Sequence, residues 1–333
     1  MKITASVPMR IDFAGSTLDV YPLYLFEGGG LTVNAAINVM ATASLETRSD
    51  KRIVIHSTDL KVNEEIESLQ KMEYGGRLDL VKRALAYFRP EPGLEITINS
   101  QAPAGSGLGA SSALLMALAH CLNRLTDRNL SSNQIIDLGA NIEAQVIGIP
   151  TGKQDYFPPI FGGVCAMWFD IDGWRFENLA ASTALIQGLN ERLIVSYTGL
   201  PHDSAVTNWA MLKCYIENEG DTVARMHEIR SIAMEMRTCL LALDFARFAS
   251  LIDQEWKLRR GLAEGVTNPD IERVMAAARD TGALASKICG AGGGGCMITV
   301  AEPQAVSTIR QALISAGVRV LPAQVINEGL SWA

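Results

Sequence analysis

The sequence predicts an α+β protein of two domains, on three observations. Alternating segments rich in β-branched residues fill much of the first half, helical periodicity dominates from about residue 204 to 281, and 333 residues exceed one ordinary core. The change of character falls near residues 175–192, so the expected domains are 1–185 and 186–333.

The elements follow in order. From Lys2 to Phe13 the chain alternates as a strand and ends in the glycine turn "AGSTLD". "GLTVNAAINVMATASLETR" and "KRIVIHSTD" also read as strands. "RLDLVKRALAYF" carries Leu78, Leu80, Val81, Ala84 and Leu85 at helical spacing, and "GLEITINSQ" is a strand running into Pro103. Next comes "PAGSGLGASSALLMALAHCLNRL", where glycines and serines crowd in front of a helical pattern. "SSNQIIDLGANIEAQVIG" opens on a serine cap and continues as a helix to Gly148. In the second half "ERLIVSYTG" is a short buried strand, and "ASKICGAGGGGCMITVA" is a strand, a glycine turn and a strand. "PQAVSTIRQALISAG" is a helix and "RVLPAQVI" a last strand.

Composition narrows the function classes. The chain is 48% hydrophobic and 20% charged, and its net charge of −7 lacks the basic footprint of a nucleic-acid binder. "MKITASVPMRIDFAG" has no apolar core and no cleavage site of a secretory signal. No apolar stretch reaches the ~18 residues of a membrane span. Cys121, Cys165, Cys214, Cys239, Cys289 and Cys296 are scattered without CxxC spacing and read as buried thiols. The expectation is a cytoplasmic protein without structural disulfides or zinc, without membrane or nucleic-acid partners, and monomeric or homodimeric.

Three readings compete for "GSGLGASSALL". A Walker A loop needs GxxxxGK[ST], and no lysine follows the glycines. Gly105, Gly107 and Ala110 satisfy a Rossmann GxGxxA, as do Gly290, Gly292 and Gly295 in GxGxxG form. The first is set off from its strand by "QAPA", and the second runs into a strand where a helix is required. What remains is a glycine loop at a helix N-terminus that binds phosphate without a lysine, using backbone N–H groups and the helix dipole. Ser111 and Ser112 stand in the first turn, either to cap the helix or to offer a hydroxyl to a magnesium ion. A tight turn with ordinary serine caps is the alternative.

"PAGSGLGASSA" resembles the ATP-binding motif of the GHMP small-molecule kinases. "VPMRIDFAGSTLD" resembles that family's first motif, "KICGAGGGGC" its third, and "IEAQVIGIPTGKQDYFPPIFGGV" its catalytic-carboxylate segment. Four motifs in the family's order span nearly the whole chain. "GKQD", "FGG", "YTG" and "WKLRRGLAEGVTNPDIERV" are most similar to the sugar-kinase branch, closest to D-glycero-D-manno-heptose 7-phosphate kinases. The resemblance implies a ribosomal-protein-S5-domain-2-like N-terminal ATP-binding domain and a ferredoxin-like C-terminal domain. It implies an ATP- and Mg2+-dependent kinase of the anomeric hydroxyl of a sugar or sugar phosphate.

It also implies roles for residues. The nucleotide cradle is Pro103, Gly105, Ser106, Gly107, Leu108, Gly109, Ala110, Ser111 and Ser112, faced by Gly292 and Gly293 of the third motif, with Gly294 on the substrate side. Ser111 and Glu143 are the implied metal ligands. Asp155 is the implied catalytic base, or at least the orienter of the attacking hydroxyl, since an ordinary aspartate is a weak base. Arg10 is the implied cation beside it, holding Asp155 ionised and stabilising developing charge. Ser16, Thr17 and Asp19 are implied in sugar binding, although "GSTLD" departs from the GEHTD and GGGTD of relatives and leaves the acceptor open. Lys153, on one face with Asp155 if that segment is extended, and Arg259 or Arg260 are candidate contacts for an acceptor phosphate. His202, Asp203 and Ser204 are polar candidates in a substrate loop. A galactose-, fucose- or uronic-acid-type kinase and a non-catalytic ATP and sugar sensor stand as alternatives. A dehydrogenase remains only if both glycine contexts are misread.

Overall fold

The computed structural model describes residues 1–333 apart from Ala104, Ala181, Ser182 and residues 201–203; of residues 204–206 only the backbone is described. Its strands are β1 (Lys2–Ala14), β2 (Gly30–Arg48), β3 (Ile53–Ser57), β4 (Val62–Ile66), β5 (Gly93–Ser100), β6 (Val164–Asp170), β7 (Gly173–Asn178), β8 (Leu193–Tyr197), β9 (Ala285–Ile288), β10 (Cys296–Val300), β11 (Arg319–Leu321) and β12 (Ser331–Trp332). Its helices are α1 (Leu23–Phe26), α2 (Asp79–Phe88), α3 (Ala110–Leu125), α4 (Ser132–Ile147), α5 (Phe157–Phe161), α6 (Thr183–Asn190), α7 (Ser204–Ile216), α8 (Thr222–Leu241), α9 (Phe245–Arg259), α10 (Pro269–Asp280) and α11 (Val306–Ser315).

β1 and β2 form the spine of an eight-stranded sheet ordered β12-β1-β2-β5-β3-β4, with β6 on the first half of β2 and β7 beyond it. Only the β3–β5 pair is parallel among the described strands. Burial follows the pairing: Gly30–Ile37 is buried at every position, whereas Ala41–Leu45 alternates buried and half-buried. A four-stranded antiparallel sheet, β11-β8-β10-β9, carries the second half. α9 packs on both β1 and β9 and so joins the two sheets. Phe13 and Phe248 meet edge to face across that seam, with ring centroids 5.1 Å apart.

Local chemistry sets the ends of the helices that serve the cleft. Ser131 and Gln134 form a capping box at the start of α4, and Gly148 ends it with φ 76°. α10 begins on the Asn268 cap with Pro269 behind it. One expectation needs correcting: "RVLPAQVI" is not the last strand. β11 stops at Leu321, before Pro322. The tail then crosses back, bridging Val325 to Ile37 and pairing β12 with β1.

Candidate active site

A cavity of about 530 Å³ opens where the two sheets meet, lined by segments from six parts of the chain. The first is β1 with the turn after it, which supplies Arg10, Ser16 and Asp19. The others are the glycine loop, α4, the segment 150–155, Asn208 of α7, and Gly290 with Ala291.

The glycine loop is built as a cradle. Gly109 is the N-cap of α3 with φ 69°, and no side chain caps the first-turn N–H groups. Ser112 does not cap the helix; its hydroxyl donates to Glu143 Oε2 at 2.7 Å. A β-carbon on Gly107 would fall 2.8 Å from Cys289 O, and one on Gly295 would fall 2.6 Å from Ser106 O. The two glycine segments therefore interlock, tied by the Cys296 N–H donating to Ser106 O at 2.6 Å. Uncapped N–H groups facing an open cavity are what a polyphosphate requires.

Glu143 projects from α4 into the same wall and takes a second hydrogen bond, from the Tyr156 hydroxyl at 2.5 Å. Burial pushes its carboxyl up, and the Tyr156, Ser112 and Ser111 hydroxyls oppose that by favouring the charged form. Ser111 itself is exposed to the cavity. Among the described residues no three His, Cys, Asp or Glu side chains converge as a metal cage. That donor set, one carboxylate and one hydroxyl beside a phosphate cradle, fits magnesium, which takes few protein oxygens and completes its shell from phosphates and water.

Asp155 sits within reach of the helix start. A β-carbon on Gly109 would lie 3.3 Å from its carboxylate. Arg10 grips Asp155 Oδ1 through Nε and Nη2, each at 2.7 Å, and also donates to Gly107 O. Burial lowers the affinity of the Arg10 guanidinium for its proton, but Asp155 and Asp12 outweigh it and Arg10 stays charged. Asp19 is buried beside the pair and accepts from the Gln154 N–H at 2.9 Å. Burial, aided by the charge of Asp155, pushes its carboxyl up to about 6.

Several expected site residues are not brought to this wall. Lys153 and Asp155 do not share a face, because Gln154–Tyr156 is a turn of 3-10 helix and not extended chain. Lys153 instead pairs with Asp137 at 2.6 Å. Thr17 is buried under the cavity, donating to Asn208 Oδ1 at 3.2 Å. Arg259 is wholly buried against Glu255, and Arg260 pairs with Glu272 on the surface. Leu108 is core, its carbonyl taking the Arg10 N–H, and the Pro103 carbonyl takes the Ser106 N–H. Gly292 and Gly293 pack on Val266, and Gly294 on Leu200; Gly290 and Ala291 line the cavity in their place. His202 and Asp203 lie outside the described residues, as does the Ser204 side chain.

Sequence reasoning passed over four residues that shape the site. Gln154 holds Asp19 by backbone and side chain, and Gly152 leaves room for it: a β-carbon there would fall 1.9 Å from Asp19 Oδ2. Both stand in "PTGKQD", where a glycine beside the expected carboxylate was the available signal. Asp12 and Lys287 meet beneath the cavity although 275 residues apart, and nothing local announces that pairing.

Similarity to known proteins extends over nearly the whole chain. The model of the GHMP kinases N terminal domain matches residues 79–163, and that of the GHMP kinases C terminal domain matches residues 236–319. The chain is 29% identical to a D-glycero-alpha-D-manno-heptose 7-phosphate kinase of Campylobacter jejuni over 93% of each chain. It is also 29% identical to a mevalonate kinase of Thermococcus onnurineus, over 99% of this chain and 98% of that one. A crystal structure of a D-glycero-D-manno-heptose 1-phosphate kinase from Bacteroides thetaiotaomicron superposes with a TM-score of 0.81 at 26% identity, covering 99% of this chain and 98% of its own. The two family models meet on one cleft, and the chain belongs to the GHMP kinases, a family of ATP-dependent small-molecule kinases.

Proposed function

We propose that this kinase phosphorylates the anomeric hydroxyl of a sugar or sugar phosphate, with a D-glycero-D-manno-heptose phosphate as the first candidate acceptor. The observation that carries the proposal is the Arg10–Asp155 pair. It stands at the start of α3, between the phosphate cradle and the buried Asp19 carboxylate.

Phosphoryl transfer asks a protein mainly for position and charge. Bound magnesium-ATP would supply the phosphoryl group and its electrophilic activation, held by the N–H groups after Gly109 and by Ser111 and Glu143. Asp155 accepts the hydrogen bond of the attacking hydroxyl and takes its proton as the bond to phosphorus forms. Arg10 keeps that carboxylate aimed. Asp19, ionised above about pH 6, accepts sugar hydroxyls on the other side of the reacting group.

A neutral sugar is the second reading, and one observation favours it. Among the described residues lining the cavity Arg10 is the one cation, and it is committed to Asp155 and Gly107. Lys153, Arg259 and Arg260 are paired elsewhere, so an acceptor phosphate finds no free cation among them.

The test is ADP release with magnesium-ATP across heptose 7-phosphates, mannose, galactose, fucose and uronic acids, with mevalonate and homoserine as outgroups. Turnover on one sugar is expected. In Asp155→Asn it should fall by about 100- to 10,000-fold with ATP affinity kept, the usual range for a lost general base. Tight ATP binding without turnover on any of them would point to a sensor and overturn the proposal.

A further inference from the structure

A buried chain of alternating charge runs under the cavity, and the chemistry above uses only its first two members, Asp155 and Arg10. Lys287, on β9, touches the Asp12 carboxylate, stands 3.2 Å from Glu255 Oε2 and donates to Phe13 O at 3.2 Å. Glu255 receives Arg259 Nε at 2.7 Å. Arg259 then reaches back across the seam to Ser16 O at 2.8 Å and Thr17 Oγ1 at 3.4 Å. At the other end Asp12 accepts the Gly290 N–H and the Ser16 hydroxyl, the latter at 2.8 Å. The signs alternate through Asp155, Arg10, Asp12, Lys287, Glu255 and Arg259. The chain starts at one cavity carboxylate, Asp155, and ends on the loop that carries another, Asp19.

Asp12, Lys287, Glu255 and Arg259 each have no exposed surface. Apolar side chains of similar size would stabilise such a place as well or better, so a gain in stability does not account for these charges. What a buried charge with partners on both sides does is occupy one position. Its contacts here end on cavity segments: the Gly290 N–H, the Ser16 carbonyl and the Thr17 hydroxyl. Thr17 has φ 80°, a left-handed conformation that a β-branched residue keeps only when its surroundings hold it there. Arg259 is one of the groups that hold it.

We propose that Lys287, Glu255 and Arg259 are positioning residues for the transfer: with Asp12 they lock the acceptor-side loop 15–19 in register with Asp155 and the Gly290 turn. The kinetic consequence rests on the sugar-kinase reading; the ordering of the loop does not.

Two variants test it. Lys287→Met/Glu255→Gln removes one charge of each sign, and Arg259→Lys keeps the charge but loses the fork that spans Glu255 and Ser16. Amide hydrogen exchange of residues 15–20 should accelerate in both, with the outer strands β3 and β4 unchanged. The KM for the sugar should rise about tenfold or more while the KM for ATP stays within about twofold. Unchanged exchange in 15–20, or parallel changes in both KM values, would overturn the proposal. A wild-type enzyme inactive on every sugar would sink the acceptor reading alone, since the exchange result still decides the positioning role. If the double variant does not fold, Arg259→Lys carries the same two readouts.

Discussion

Gly152 lies so close to Asp19 that a β-carbon built on it would fall 1.9 Å from the Asp19 Oδ2 atom. No rotamer of an added methyl group escapes that contact, because the methyl has none to choose from. Gly152→Ala must therefore push Asp19 or the 150–155 segment aside by about the length of the overlap. A misplacement of that size costs on the order of 100-fold in kcat/KM for the sugar. The cradle at Gly105–Gly109 is untouched, so nucleotide binding, measured by titration calorimetry, should stay near the wild-type value.

Asp19 also sets a pH dependence. Its carboxyl is pushed up to about 6 by burial, and on the proposed function the ionised form is the one that accepts the acceptor's hydroxyls. The KM for the acceptor should rise by about tenfold per pH unit below that value, as for a single protonation. Stability moves the opposite way. A carboxyl raised in the folded state binds its proton more tightly there than in the unfolded chain, so its ionisation destabilises the fold as pH rises through about 6. Asp19→Asn should then raise the melting temperature more at about pH 8 than at about pH 5, relative to wild type. An equal shift at both pH values would contradict the buried-carboxylate assignment.

Glu143 offers a separable test of the metal role. Glu143→Gln keeps the shape and one acceptor for Ser112 and Tyr156 but removes the negative charge. The magnesium concentration for half-maximal activity should rise by about tenfold, the lower end for loss of a metal-site interaction. Thermal stability should hold or improve, because a buried charge disappears with its hydrogen bonds largely kept. Unchanged magnesium dependence would leave Glu143 as a structural acceptor.

The seam between the sheets is apolar as well as charged. Phe13 and Phe248 are fully buried and meet edge to face. Phe248→Ala should cost about 3–5 kcal/mol in chemical denaturation, as a large core truncation does. Its effect on the KM for ATP should be small, since neither ring lines the cavity.

What the sequence by itself determined is the inventory and its order. The glycine segment before α3, the β1 motif with Arg10, the "TGKQD" stretch and the late glycine run were legible because each is local. Glycines at positive φ and helix starts leave their marks within a few residues. The strand-rich to helix-rich change was visible for the same reason. The return of the tail to the first sheet was not, because β12 is two residues long and its pairing with β1 is wholly non-local.

The tertiary structure decided which charges face the substrate. Lys153 and Asp155 are two residues apart, yet a single 3-10 turn sends one to Asp137 and the other to Arg10. Arg259 reads from the sequence as a candidate contact for an acceptor phosphate, yet it is buried because Glu255 is there to neutralise it. The direction of a long side chain follows from the partner that neutralises it. When that partner is Lys287 for Asp12, 275 residues away, only the folded chain brings the two together.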